Sequence, residues 1–127
     1  MKRPTILIVE DHDETRDMLC NWLMDTYPEC KFMEACSGEE AMKKAYIFSP
    51  DLILMDIRLP RMNGLEATRK IRMLMPGMRV IILTSHDEMA YRLEADRAGA
   101  SAFISKENFG SHLLPLMKNL LIERTFE

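Results

Sequence analysis

Short, continuous apolar runs along the chain alternate with longer segments in which apolar residues recur at helical spacing. Thr5 to Glu10 encloses Ile6-Leu7-Ile8-Val9, Asp51 to Asp56 encloses Leu52-Ile53-Leu54-Met55, and Arg79 to Thr84 encloses Val80-Ile81-Ile82-Leu83. Unbroken runs of this length are expected of strands covered on both faces. Lys31 to Ala35 and Ala102 to Ser105 read as two weaker strands. After the first strand, Asp11 to Asp13 supply helix-starting carboxylates, and Met18, Leu19, Trp22 and Leu23 form an apolar stripe that Tyr27-Pro28 closes. Ser37 followed three residues later by Glu40 matches a capping box. The helix it opens is expected to turn Ala41, Ala45 and Phe48 inward and to stop at Ser49-Pro50. Leu59-Pro60 and Asn63-Gly64 mark a loop, and Leu65 to Met75 reads as a helix ended by Pro76-Gly77. Asp87 is a candidate cap for a helix running to Gly99, a natural C-terminal glycine. The last helix holds Leu113, Leu116, Met117, Leu120 and Leu121, with Ser111 as cap so that Pro115 falls near the first turn.

The order is strand then helix, five times over. Helices of this length between strands imply a parallel sheet with right-handed crossovers, an α/β fold. The loops at the C-terminal ends of the strands then share one edge, where such sheets bind ligands.

The 127 residues fit one domain, 1–127, and the 47% hydrophobic content suffices for an ordinary core. A net charge of -3 leaves no basic footprint, so direct contact with nucleic acid is not expected. Three cysteines without paired spacing (Cys20, Cys30 and Cys36) suit packed or idle thiols in a reducing cytoplasm. Ile6 to Val9 is too short an apolar run for a signal peptide or a membrane span. The twelve methionines are expected to fill core gaps.

At the strand ends the pattern becomes chemical. Strand one ends at Glu10 and Asp11, strand three at Asp56, strand four at Thr84 and Ser85, and strand five at Lys106. Taken singly, each of these is an ordinary solvated loop residue or helix cap. Their coincidence at one edge is what carries weight. Two unit charges ~4 Å apart at an effective dielectric of ~20 repel by about 4 kcal/mol. A hard divalent cation relieves three crowded carboxylates, and Mg²⁺ takes carboxylate, water and phosphate oxygens. Asp56 is then the candidate nucleophile toward a phosphoryl group. Lys106 is the candidate counter-charge, and the Thr84 hydroxyl a donor to the phosphoryl oxygen.

Here the sequence resembles the receiver domain of two-component response regulators. The matching pieces are Val9-Glu10-Asp11-His12, Leu54-Met55-Asp56-Ile57-Arg58-Leu59-Pro60, Met62-Asn63-Gly64, Ile82-Leu83-Thr84-Ser85 and Ala98-Gly99-Ala100-Ser101-Ala102-Phe103-Ile104-Ser105-Lys106. The resemblance implies a doubly wound, flavodoxin-like, five-stranded parallel sheet in order 2-1-3-4-5 with five helices. It implies that Asp56 accepts a phosphoryl group from a sensor histidine kinase or a phosphotransfer protein. Glu10, Asp11, Asp56 and the backbone carbonyl of Arg58 would hold Mg²⁺ or Mn²⁺, with Glu10 reaching it through water. Lys106, Thr84 and the Ser85 N–H would contact the phosphoryl group. Thr84 and Phe103 would form a switch that reshapes the face of helix four, strand five and helix five. Arg58 and His86 occupy positions that tune phosphoryl lifetime. Glu107 stands where the family often has proline, which removes the usual reason for a cis bond after Lys106.

The implied protein is a phosphoacceptor rather than a turnover enzyme. It is expected to be part of a transcriptional regulator with an output domain, or alternatively a stand-alone regulator acting on a downstream protein, with homodimerisation on phosphorylation as a further expectation. Three other classes fit less well. A phosphohydrolase with an aspartate nucleophile would want an acid where Arg58 stands. A cofactor binder would want a phosphate cradle where Glu10-Asp11-His12-Asp13 is anionic. A degenerate scaffold would lack some of the residues that are all present.

Overall fold

The computed structural model describes residues 3–85, 89–106, 111, 113 and 115–119. Five strands, β1 (Thr5–Val9), β2 (Lys31–Ala35), β3 (Leu52–Asp56), β4 (Val80–Thr84) and β5 (Ala102–Ser105), form one sheet in the order β2-β1-β3-β4-β5. Every neighbouring pair is parallel. Helices α1 (Asp13–Thr26), α2 (Gly38–Phe48), α3 (Gly64–Leu74) and α4 (Met89–Ala98) connect consecutive strands, and residues 115–119 are helical after β5. The expected strand order is therefore the observed one.

The sheet is covered on both faces, which is why its central strands are apolar without alternation. On one side Leu7, Val9, Ile53, Met55, Val80 and Ile82 pack with residues of α2, α3 and α4. On the other, Ile6, Ile8, Leu52, Leu54, Ile81 and Leu83 pack against Cys20 and Leu23 of α1 and against Leu113 and Met117. Burying each such side chain contributes roughly 1.5–3 kcal/mol. Cys20 and Cys30 are buried, Cys36 is exposed, and all three are free thiols.

Some local expectations change. Strand β1 ends at Val9, one residue before Glu10. Met18 is 71% exposed while Cys20 is buried. Two residues turn the helix by ~200°, so Met18 cannot share the Cys20–Leu23 face. Phe48 lies on the same stripe as Ala41 and Ala45 yet is exposed. It is the last residue of α2 and lines an open groove with Arg3, Thr5 and Lys31, beyond the N-terminal edge of the sheet. The methionines divide: Met55, Met78 and Met117 are core, whereas Met18, Met24 and Met73 face solvent.

Caps set where the helices begin. Ser37 accepts the Glu40 N–H at 3.1 Å, as the capping box requires, but Glu40 accepts from the Cys36 N–H rather than from Ser37. At α1 the N-cap position is His12, whose side chain makes no capping bond, so Asp11 is not spent as a cap. Asn63 caps α3, its Oδ1 accepting the Glu66 N–H at 2.9 Å. Asn63→Ala is expected to cost about 1 kcal/mol, measured by urea unfolding. Gly99 ends α4 at φ +92°, a left-handed conformation that suits glycine. The expected cap Asp87, the Lys106–Glu107 bond, Leu120 and Leu121 lie outside the described residues.

Candidate functional site at the C-terminal edge of the sheet

Parallel pairing brings the strand ends to a common level. Asp56 is the last residue of β3 and pairs with Leu83, which places Thr84 one step beyond it on β4. Thr84 pairs with Ser105, and Lys106 follows directly. Glu10 follows β1, its N–H donating to the Ala35 carbonyl at 3.0 Å. Residues 96 positions apart thus meet: Lys106 Nζ lies 2.7 Å from Glu10 Oε1 and 3.4 Å from Asp56 Oδ2.

Glu10, Asp56 and Thr84 are buried, while Asp11 and Lys106 are partly open to solvent. Burial pushes the Asp56 carboxyl up; Lys106 pulls it down, Glu10 pushes it further up, and the outcome is about 6. Glu10 suffers the same desolvation, but the Lys106 ammonium and the His12 N–H hold it ionised, down at about 2. Desolvation lowers Lys106, yet the two carboxylates outweigh it and raise it. The result is a lopsided pair in which Glu10 takes the lysine at close range and Asp56 is the stressed member. A carboxylate in this condition gains from any additional positive charge.

Asp11 points the same way. Its Oδ1 is buried and accepts no hydrogen bond among the described residues. The neighbouring Glu10 carboxylate is itself held ionised. This donor set suits a hard divalent cation, with Asp11 and Asp56 as direct carboxylate candidates and Glu10 partly committed to Lys106.

The loop after β3 is held tightly. The Ile57 carbonyl accepts the Gly64 N–H at 2.8 Å and the Leu59 N–H at 3.1 Å. A Cβ on Gly64 would overlap the Asp56 carbonyl oxygen and lie 2.8 Å from its carbon. The start of α3 therefore rests directly on the backbone of the candidate acceptor. The Arg58 side chain is exposed, and Ser85 is exposed at the end of β4. His86 lies outside the described residues. Phe103 is half-buried against the α2–α3–α4 core, and the Arg92 guanidinium of α4 stacks over its ring at 5.0 Å.

Two site neighbours escape a strand-end reading. His12 borders the acidic pair, and its adjacency was the only signal available. Arg92 reaches Phe103 only because α4 crosses β5, and nothing in its sequence position marks it.

The sequence model of the response regulator receiver domain matches residues 6–118. The chain belongs to that family. It is a receiver domain of two-component response regulators, a signalling domain. It is 35% identical over 116 residues to the transcriptional activator protein ExaE of Pseudomonas putida, covering 91% of this chain and 54% of that one. The receiver domain thus spans about half the length of the curated relatives it matches. A LuxR-family two-component response regulator from Aurantimonas superposes with a TM-score of 0.87 at 31% identity, covering 96% of this chain and 87% of the other. The CheX–CheY complex with BeF3 and Mg from Borrelia burgdorferi superposes with a TM-score of 0.73 at 26% identity, covering 81% and 78%. Among the described residues, no helix of the receiver domain is long and apolar enough to cross a membrane.

Proposed function

We propose that this receiver domain is a phosphorylation-controlled switch whose acceptor is Asp56, working in the cytoplasm as one unit over residues 1–127. The observation that carries the reading is the buried Asp56 carboxylate at the end of β3 with the Lys106 ammonium 3.4 Å away. An Asp56 oxygen attacks phosphorus, an O–P bond forms, and the donor's bond to phosphorus breaks with its electron pair staying on the donor. The donor is the phosphohistidine of a kinase or phosphotransfer protein. Lys106 meets the charge that spreads over the phosphoryl oxygens, and the Thr84 hydroxyl donates to one of them. Asp11, Asp56 and the Arg58 carbonyl are the residues that would hold Mg²⁺ (or Mn²⁺), with Glu10 behind them. Bound there, the cation supplies positive charge that shields the nucleophile from an anionic donor.

Readout runs through Thr84 and Phe103. A Thr84 hydroxyl drawn toward the phosphoryl group leaves room for the Phe103 ring, which changes the surface of α4, β5 and the final helix. That surface controls an output domain of a transcriptional regulator, or a separate partner in a stand-alone protein, and pairing of two receivers is one form the output takes. Exposed Arg58, together with His86, adjusts the phosphoryl lifetime. The domain accepts and loses its phosphoryl group without being a turnover enzyme.

Intact-mass measurement after incubation with acetyl phosphate and Mg²⁺ tests this reading. One phosphoryl group per chain is expected, and its absence overturns the acceptor role. Cation binding should also depend on pH with a definite sign. Asp56 holds its proton up to about pH 6, so a cation that needs the carboxylate must displace that proton. Mg²⁺ affinity is expected to fall by up to about tenfold per pH unit below 6 and to level off above 7. Calorimetric titrations across this range would show it, and an affinity flat from pH 5 to 7 would contradict it.

A further inference from the structure

The acidic pair has a third member. His12 Nδ1 lies 3.3 Å from Glu10 Oε2 and 3.3 Å from Asp11 Oδ1. Ligand atoms of these three residues all fall within 4.8 Å of one another. His12 is 74% exposed, yet its ring turns back toward the carboxylates instead of into solvent. The two Glu10 oxygens divide their tasks: Oε1 holds Lys106 at 2.7 Å, and Oε2 faces His12, accepting its N–H at 3.2 Å. Asp11 Oδ1 is buried and accepts no hydrogen bond among the described residues, even with the imidazole beside it. One ring N–H serves one acceptor, so the imidazole cannot answer both the Glu10 and the Asp11 oxygen at once.

We propose that Glu10, Asp11 and His12 form a three-ligand site for a d-block divalent cation of the nickel or zinc type, and that this ion competes with Mg²⁺ for the receiver. The inference rests on the acidic pair being a cation site, as argued above. Ligands ~2.1 Å from one ion are about 3.0 Å apart at an octahedral edge and about 3.4 Å apart at a tetrahedral one. The two measured separations of 3.3 Å fall within that interval before any rearrangement. With its proton on Nε2, the His12 ring offers a lone pair at Nδ1. Imidazole nitrogen favours nickel, copper and zinc, whereas Mg²⁺ selects oxygen and gains little from it. Competition follows because Glu10 and Asp11 are common to both ions. A d-block ion seated here would hold Asp11 away from Mg²⁺ and so restrain phosphorylation.

The test is calorimetric titration of the protein with Ni²⁺, in a Cys36→Ser background so that the exposed thiol cannot bind metal. His12→Asn is the discriminating variant, since asparagine is a good N-cap and preserves the start of α1. One Ni²⁺ per chain is expected, weakened at least about tenfold by His12→Asn and also by Asp11→Asn. Mg²⁺ affinity in His12→Asn should stay within about twofold of the parent. Excess Mg²⁺ should displace Ni²⁺, and Ni²⁺ should broaden the His12 imidazole resonances. Equal Ni²⁺ affinity with and without His12 overturns the proposal, as does Ni²⁺ binding that Mg²⁺ does not contest. A chain that binds Ni²⁺ through His12 but takes no phosphoryl group with Mg²⁺ would overturn the acceptor reading and leave this site standing.

Discussion

Asp56→Ala and Asp56→Asn are both expected to abolish the phosphoryl adduct while leaving the domain folded, and Asp56→Asn should make the metal-free protein more stable at neutral pH. The first outcome follows from chemistry, because neither replacement offers a carboxylate oxygen to phosphorus. Persistence of the adduct in either variant would move the acceptor elsewhere. The second follows from burial. Asp56 rises from its ordinary 3.8 to about 6 in the folded chain, so the native state binds a proton that the unfolded state releases between those values. A raised acid contributes its stabilising proton fully below pH 3.8 and loses that contribution as pH climbs through 6. At neutral pH the metal-free fold therefore carries a penalty on the order of 1–3 kcal/mol, which a neutral amide of the same shape removes. Urea unfolding without divalent ions should show Asp56→Asn above wild type at pH 7.5 and level with it near pH 4. Glu10 has the opposite sign. Its lowered carboxyl stabilises the fold above pH 4.5, and that contribution fades as pH falls toward 2. Wild type without metal should thus be most stable in mildly acidic solution, and added Mg²⁺ should raise stability most where Asp56 is ionised.

The second large effect is steric. Gly64→Ala is expected to destabilise the domain by on the order of 3 kcal/mol, lowering its melting temperature by roughly 10 °C. Gly64 has no unusual φ, so conformational freedom is not the reason. The cause is contact: a methyl group there would overlap the Asp56 carbonyl oxygen and touch the Met55 side chain at 3.0 Å. Backbone cannot yield as a flexible side-chain end can. Relief requires lifting α3 from β3 or displacing the end of β3, and the second route moves the proposed acceptor itself. Phosphorylation by a small-molecule donor should therefore slow even at temperatures where the variant is folded. Gly77→Ala is the control, because a Cβ there meets nothing within 4 Å. It should change stability by no more than about 0.5 kcal/mol. Melting curves that coincide for the two variants would remove the close-approach argument.

Both predictions concern residues visible in the sequence, but only the first has a reason visible there. Asp56 follows four apolar residues, and its place at a strand end could be read from that run alone. The same holds for Thr84 and Lys106, whose strands are short, continuous and flanked by polar residues. Continuous apolar runs fix which segments lie between two helical layers, and strand–helix alternation fixes a parallel sheet, so the site's edge follows from one-dimensional pattern. Gly64 read as a loop marker and as part of the matching Met62-Asn63-Gly64, with no steric reason attached, since its contact lies across α3 and β3.

The misplaced residues show the same boundary from the other side. The α1 stripe placed Met18 inward because i,i+4 spacing marks a stripe's direction without saying which edge of it meets the sheet. Phe48 has the right angle on α2 and the wrong height, since only the packed sheet shows where its edge ends. The Glu10–Lys106 pairing, the stress this leaves on Asp56, the turn of His12 toward the acidic pair and the stacking of Arg92 on Phe103 are likewise three-dimensional. The sequence by itself determined the fold, the sheet edge of the candidate site and the identities of the acid, base and hydroxyl gathered there. Only the tertiary structure decided which oxygen faces which partner. Spacing along a chain specifies element and register, whereas distances between side chains 50 or 96 residues apart depend on how the elements pack.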